Sequence, residues 1–202
     1  MSGCCDDDCN LEALRERQRG TLIIVLAINA VMFLVIVAAA IYGKSTALLA
    51  DSLDNLGDAL TYGLSFYAVS RSGDVKARVA LFKGGLIFLA ACTVAGQLAY
   101  KLAVPSMPLF QVMGSLSLIG LVANGACLLL LWRHRGDDIN MSSVWECSRN
   151  DIASNLSVFA AAGGVWLTGS AWPDMVVALG LLTLLFRSSF RVVSSAMAEL
   201  KA

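Results

Sequence analysis

Two short polar runs interrupt otherwise apolar stretches of this chain, and the first of them is rich in carboxyl groups. It reads Ala-Asp-Ser-Leu-Asp-Asn-Leu-Gly-Asp and carries Asp51, Asp54, Asn55 and Asp58. At about 100° per residue, these four side chains fall within roughly 100° of arc on a helix. Three carboxyl groups so close repel one another, and each resists ionising in a dry interior. A bound cation would relieve both problems.

The second polar run carries a thiol and a carboxyl group at helical spacing. Cys147 and Asp151 are four residues apart, as are Asp54 and Asp58, so each pair directs its groups toward one side of its helix. Two helices then supply four ligands, which is the number that zinc prefers. Three carboxylates and a thiolate suit zinc or cadmium, whereas magnesium and calcium prefer oxygen-only shells.

The depths of the two pairs in a membrane allow them to meet. Asp54 and Asp58 lie about 13–20 Å along a span that enters from the outside, at 1.5 Å per residue. Asp151 lies roughly 12 Å along a span that enters from the cytoplasm. Both pairs are therefore expected near the middle of the bilayer.

A second register of the same two runs is open. Asp51 with Asn55, and Asp151 with Asn155, are also four residues apart. A site that used these pairs would have two strong ligands and two weak ones, so we prefer the first register. The predicted metal ligands are Asp54, Asp58, Cys147 and Asp151.

The composition of the chain indicates which solvent surrounds these runs. Of the 202 residues, 57% are hydrophobic and 15% are charged, and the mean hydropathy is +0.71. A soluble domain of this length needs more charge to cover its surface. The net charge is zero, so no basic face is available for nucleic acid. The sequence therefore predicts an all-α membrane protein.

Six apolar stretches are long enough to cross a bilayer as helices, which takes roughly 20 residues each. They lie at 21–43, 45–70, 77–104, 111–132, 143–168 and 172–197, and the second and fifth are the least apolar. We expect a cytoplasmic segment over residues 1–20 and one six-helix transmembrane domain over 21–202. We expect no C-terminal cytoplasmic domain after it.

Lysine and arginine placement predicts the orientation of the spans. One side holds Arg15, Arg17, Arg19, Arg71, Lys76, Arg78, Arg133, Arg135 and Lys201. The other side holds Lys44 and Lys101. Since cytoplasmic loops carry the excess of positive charge, both termini are expected in the cytoplasm.

The expected roles of the remaining cysteines depend on where each lies in the chain. Cys4, Cys5 and Cys9 fall in the cytoplasmic segment, where thiols stay reduced. Together with the neighbouring aspartates they form a second candidate site for soft cations, or a tail with no defined role. Cys92 and Cys127 lie among apolar neighbours and are expected to be small core thiols.

Three further polar residues are expected to have structural roles. Asn29 and Asn124 are isolated in the first and fourth spans, and we expect each to form a hydrogen bond to another helix. Arg149 is expected to point away from the Cys147–Asp151 face, toward the cytoplasmic headgroups.

These motifs resemble those of the cation diffusion facilitator family along all six spans, from about residue 29 to residue 198. The run over residues 43–58 looks like the second-span signature of that family, and the run over 150–158 looks like the fifth. Trp172-Pro173-Asp174 and the later Phe-Arg-Ser at 186–188 resemble the start and body of its sixth span.

The resemblance also implies which residues bind the metal ion. Carried over residue by residue, the family's metal site falls on Asp54, Asp58, Cys147 and Asp151. The first ligand of the fifth span is usually His or Asp, so Cys147 puts the ion preference in doubt. The family usually has a ferredoxin-like cytoplasmic domain after the sixth span, and we expect none in this chain.

The resemblance implies a secondary-active transporter of the inner membrane that exports zinc or cadmium from the cytoplasm, and not an enzyme. It also implies exchange for protons, and the residues agree, since a metal must displace protons from thiol and crowded carboxyl groups. The expected partners are the metal ion, protons and the lipid bilayer, with a possible homodimer through the transmembrane helices. No prosthetic group is expected.

Two other functions stay open. A metal-permeable channel or importer would use the same ligands. A membrane-embedded metal-dependent lipid transferase would carry Asp-x-x-Asp-Gly followed by Ala-Arg. Here Asn55 replaces that glycine, and Asp58-Ala59 stands where Ala-Arg should be.

Overall fold

The structure of the protein is a computed structural model. It describes the backbone of residues 4–68, 73–133 and 139–200. Within these ranges it describes the side chains except those of residues 4–18, 61, 64–68, 73–77, 139–144, 146, 147 and 199.

The described ranges are helical except for the short segments that connect one helix to the next. The helices are α1 (Cys4–Gly43), α2 (Thr46–Ala68), α3 (Gly73–Ala103), α4 (Phe110–Trp132), α5 (Ile139–Thr168) and α6 (Trp172–Glu199). These elements confirm the six expected spans, and α1 extends toward the N-terminus well beyond the expected span. The prediction of an all-α fold is confirmed for the part of the chain that the structure describes.

Four of these helices have segments long and apolar enough to cross a membrane. These segments are Arg19–Gly43, Arg78–Ala103, Phe110–Trp132 and Trp172–Ala198. Large apolar side chains also cover the outside of the bundle, such as Leu129 at 74% exposed and Leu167 at 76%. Exposed apolar surface of this extent needs lipid around it. No such segment is found among the described residues of α2 and α5, which are the two helices that carry the polar runs.

Four helices enclose the interior of the bundle. α1 packs on α2, α2 on α5, α5 on α4, and α4 on α1, so these four form a closed ring. α3 and α6 pack on each other and lie against α2, and α6 also contacts α5. The main apolar core includes Ile36, Leu48, Met113 and Val158, one residue from each helix of the ring. The two polar runs therefore lie on adjacent helices of the ring.

The turn between α1 and α2 is closed by backbone hydrogen bonds. Lys44 has a φ of 53°, and Ser45 N donates to Ala40 O at 3.1 Å while Lys44 N donates to Ile41 O at 3.4 Å. This pair of bonds is the Schellman arrangement, in which the residue after the helix takes the left-handed conformation. Glycine usually occupies that position, and here a lysine does. The turn fixes where α2 begins, and so fixes the positions of the carboxyl groups along it.

Candidate metal centre

The carboxyl groups of α2 lie on the side of the helix that faces the ring interior. Asp51 is 1% exposed, whereas Asp54 and Asp58 are half-buried. Asp51, Asp54 and Asp58 recur every three or four residues, so a helix stacks them on one side. The prediction of a single acidic stripe on this helix agrees with their common burial.

The acidic stripe meets α5 at one point. The carboxyl group of Asp58 lies close to the carboxyl group of Asp151, which is 4% exposed. The hydroxyl group of Tyr62 also lies 3.5 Å from Asp58 Oδ2, in position to donate to it. Both groups are negative when ionised, so their approach is favourable only with a proton or a cation between them.

The other acidic groups of α2 lie near this contact. Asp151 is within electrostatic range of Asp51 and Asp54 as well as Asp58. Cys127 of α4, fully buried, is within range of both Asp58 and Asp151. Negative groups from two helices are therefore concentrated in one buried region, where charge repulsion is poorly screened. A divalent cation is the simplest species that would neutralise them.

The fourth predicted ligand, Cys147, has its side chain outside the described residues. Its backbone lies in α5, one turn before Asp151. Among the side chains that the structure does describe, no group of three or more His, Cys, Asp or Glu residues is close enough to hold a metal ion. The structure thus brings Asp58 and Asp151 together and places Asp54 nearby, and the four-ligand set stays a prediction.

The alternative register has a different arrangement. Asn55 Nδ2 donates to Asp51 O at 2.9 Å, and Asn155 Nδ2 donates to Asp151 O at 2.8 Å. Both amide groups are thereby bonded to the backbone of their own helix. Asp151 lies close to the carboxyl group of Asp58, which belongs to the preferred register.

A comparison with protein-family models identifies the fold. The model described as the cation efflux transmembrane domain matches residues 22–201. This match covers most of the chain. The chain belongs to the cation efflux family. The prediction of a cation diffusion facilitator relationship is thereby confirmed, and with it a multi-pass membrane protein that transports metal cations. A comparison with curated protein sequences gives no significant match.

Sequence reasoning missed a buried ion pair in this cation efflux protein. Lys101 Nζ lies 2.7 Å from Asp174 Oδ2, and the two side chains are 1% and 0% exposed. From the sequence, Lys101 was assigned to the side of the membrane opposite the cytoplasm. Asp174 was noted only as part of the motif that resembles the start of the family's sixth span. The available signal was Trp172-Pro-Asp, because proline and an acidic residue are typical of a helix start.

Asp174 also caps α2 from another helix. Its carboxylate accepts hydrogen bonds from Thr46 N at 3.0 Å, Ala47 N at 3.1 Å and Ser45 Oγ at 2.6 Å. Ser45 Oγ in turn accepts from Leu48 N at 3.1 Å. The first amides of a helix have no partner within the helix, and these bonds satisfy three of them. The helix that carries the acidic stripe is therefore attached at its start to α6.

The cation efflux protein packs α4 tightly against α5 at a glycine. A methyl group at Gly120 would collide with Asn155 Oδ1. Asn155 is fully buried one turn after Asp151, so the absence of a side chain at position 120 allows α5 to approach α4. No pattern in the sequence connects these two residues.

The structural expectations for four single residues have mixed outcomes. Cys127 is a buried core thiol as expected, but Cys92 is exposed on the outside of α3, so that prediction was wrong. Asn29 Nδ2 donates to Val25 O at 3.0 Å, in its own helix, because the backbone carbonyl four residues earlier lies within reach. The prediction that Asn29 bonds to another helix was therefore wrong for this nitrogen. Arg149 is exposed, with its guanidinium group 5.4 Å from the Trp145 ring centre.

Proposed function

We propose that this cation efflux protein exports divalent transition-metal ions of the zinc and cadmium class from the cytoplasm in exchange for protons. The ion is the substrate and binds in the ring interior between α2 and α5. Its ligands in this proposal are Asp54, Asp58, Cys147 and Asp151. Three oxygens and one sulfur suit zinc and cadmium.

The contact between Asp58 and Asp151 is the observation that carries this proposal. Two carboxyl groups this close in a buried region repel each other when both are ionised, so without a cation they would hold a proton between them. A divalent cation binds carboxylates in their deprotonated form, so it must displace that proton. Binding of metal and binding of protons therefore exclude each other at one place. This exclusion is what an antiporter requires.

Division of the ligands between two helices supports alternating access. Asp54 and Asp58 lie on α2, whose start is bonded to Asp174 of α6. Asp151 lies on α5, which packs on α4. Rocking of one group of helices against the other would expose the site first to one side of the membrane and then to the other. Protons released inward and metal released outward complete one cycle.

Charge distribution supports the orientation that export requires. Arg19, Arg78 and Arg133 are exposed and lie at the ends of the long apolar segments on one side of the bundle. At the other side Lys44 is exposed, and the charge of Lys101 is neutralised by Asp174. We propose that the first side faces the cytoplasm, in the inner membrane of the cell. A homodimer, if it forms, would use the lipid-facing surfaces of the helices.

The experiment that tests the proposal is zinc flux into proteoliposomes, with internal and external pH recorded together. A pH gradient should drive zinc uptake, and zinc uptake should move protons in the opposite direction. The matched control is Asp58→Asn, which keeps the shape of the side chain and removes the ionisable group. Zinc flux with no proton counterflow and no pH dependence would show a channel instead, and no flux of any divalent metal in the wild type would end the proposal.

A further inference from the structure

A cavity of about 520 Å³ lies where α1 ends, α2 begins and α3 ends. Five of the residues that line it are Ile41, Lys44, Gln97, Tyr100 and Val104. Lys44 directly follows the apolar segment Arg19–Gly43, and Val104 directly follows the apolar segment Arg78–Ala103. Because segments of this length and composition cross the membrane, the cavity lies at the level where lipid tails meet headgroups.

Several side chains that line the cavity are exposed on the outside of the bundle. Ile41, Tyr100 and Val104 are large, apolar or aromatic, and exposed. Side chains of this kind at the end of a membrane span face lipid, and tyrosine is typical of the boundary between lipid and water. A lipid molecule can therefore reach the cavity from the bilayer, with an acyl chain along these side chains and its headgroup in the cavity.

The ammonium group of Lys44 has no counter-charge in this cavity. Among the described residues that line it, none is acidic. The neighbouring cation, Lys101, is neutralised by Asp174, and theirs is the one ion pair in the part of the chain that the structure describes. The positive charge of Lys44 is therefore left for a ligand.

The backbone of Lys44 has a conformation that favours glycine. Its φ is 53°, in the left-handed region, where a side chain costs conformational free energy that glycine avoids. Within the fold only backbone groups of Lys44 form bonds: its N donates to Ile41 O, and its O accepts from Lys101 Nζ. Glycine has both groups. The turn therefore does not need the lysine side chain, and strain of this kind is often found at functional sites.

An anionic phospholipid headgroup fits both the charge of the cavity and its position. Phosphate oxygens accept charge-assisted hydrogen bonds from an ammonium group. Gln97 and Tyr100, three residues apart on α3, add donors on the same side of that helix. A headgroup with its own ammonium or choline group would bring a second positive charge beside Lys44, with no acidic lining residue to receive it. Phosphatidylglycerol has the phosphate and no positive group.

We propose that the cavity between the ends of α1 and α3 and the start of α2 binds the headgroup of an anionic phospholipid, with its phosphate on Lys44 and an acyl chain along Ile41 and Val104. A lipid bound there contacts three helices at once, so it stabilises the turn from which α2 starts. The lipid is not a ligand of the transported ion. The proposal does not depend on which ion is carried or in which direction.

Native mass spectrometry of the protein in detergent tests the binding. The probes are phosphatidylglycerol and phosphatidylcholine with the same acyl chains. The wild type should bind phosphatidylglycerol in preference, and Lys44→Met should bind it roughly tenfold more weakly, because a charge-assisted bond to the phosphate is lost. Arg149→Met, which removes an exposed cation from a helix that does not line the cavity, should have little effect. Equal binding of phosphatidylglycerol by wild type and Lys44→Met, or the same loss in Arg149→Met, would overturn the proposal.

Lys44→Gly separates the role of the side chain from that of the turn. Glycine accepts the left-handed backbone, so without added lipid this variant should unfold at the same temperature as the wild type or a higher one. It should nevertheless lose most of the rise in unfolding temperature that phosphatidylglycerol gives the wild type. A full rise in Lys44→Gly would refute the site. A lower unfolding temperature without lipid would show that the lysine side chain serves the fold instead.

The place of binding is tested by filling the cavity while Lys44 stays in position. Gln97→Trp puts a large side chain into the cavity and should weaken the binding of phosphatidylglycerol. Thr93→Trp adds the same side chain one turn earlier on α3, at an exposed residue that is not among those lining the cavity. It should leave the binding unchanged. Equal effects of the two tryptophans would show that the lipid binds elsewhere.

Discussion

Lys101 and Asp174 form an ion pair with 2.7 Å between Nζ and Oδ2, at a place where both side chains are almost completely buried. Lys101 Nζ also donates to Lys44 O at 2.7 Å, in the turn that precedes α2. The pair therefore joins the end of α3, the turn before α2 and the start of α6. Since α2 carries Asp54 and Asp58, the position of the acidic stripe depends on two residues that lie outside it.

The first prediction concerns removal of one member of this pair. Lys101→Met or Asp174→Ala should lower the free energy of unfolding by about 3–5 kcal/mol, because the remaining charge is left buried and unpaired. Asp174→Ala should be the more damaging of the two, since it also removes the acceptor for Thr46 N and Ala47 N. Thermal unfolding in detergent measures the effect.

Lys44→Met is the matched control for that experiment. It removes a lysine charge from the same turn, but the Lys44 side chain is exposed, and only its backbone oxygen receives Lys101. This variant should unfold near the wild-type temperature. Equal losses in Lys44→Met and Lys101→Met would mean that burial of the ion pair has no special role.

The second prediction concerns the close approach of α4 and α5. Gly120→Ala should destabilise the protein by about 1–3 kcal/mol, because the new methyl group collides with Asn155 and forces the helices apart. Gly125→Ala, on the same helix with nothing within 4 Å of the added methyl group, should instead gain about 0.5–1 kcal/mol from helix propensity. Unfolding curves of the two variants give the comparison, and similar values for both would contradict the packing described for Gly120.

The third prediction concerns the acidic ligands. Asp54→Ala, Asp58→Ala and Asp151→Ala should each reduce zinc transport to background while the protein still inserts and folds, because each removes one of four proposed ligands. Zinc flux into proteoliposomes and size-exclusion profiles measure the two effects. Transport at the wild-type rate by a well-folded Asp54→Ala would remove Asp54 from the site.

The fourth prediction concerns ion preference. Cys147→His should keep zinc transport and weaken cadmium relative to zinc, because a thiolate binds soft cations more strongly than an imidazole does. Cys147→Ser should weaken the transport of both ions, since a neutral hydroxyl group is a poor ligand. Competitive flux of zinc and cadmium measures the ratio.

Cys92→Ser is the control for the cysteine variants. Cys92 is exposed on the outside of α3, away from the ring interior, so its replacement should change neither flux nor ion preference. A zinc-to-cadmium ratio that stays unchanged in Cys147→His would exclude Cys147 from the ligands.

The sequence by itself determined the helices and the family. Long apolar stretches can satisfy their backbone groups in lipid only as helices, so the number of helices follows from local composition. A meeting of the polar runs of α2 and α5 could also be predicted in outline, because carboxyl groups inside apolar helices are costly and need a partner or an ion. Helical spacing then limited which side each group could face.

Only the tertiary structure decided which residues meet across helices. The burial of Lys101 against Asp174 depends on where α3 and α6 end relative to the turn before α2, and no local pattern specifies that. The contact of Gly120 with Asn155 depends on the distance between two helix axes. Asn29 bonds within its own helix, although an interhelical bond was expected, because the choice depends on what the neighbouring helix offers. Such pairings arise from packing of whole helices, which the spacing of residues along one helix does not contain.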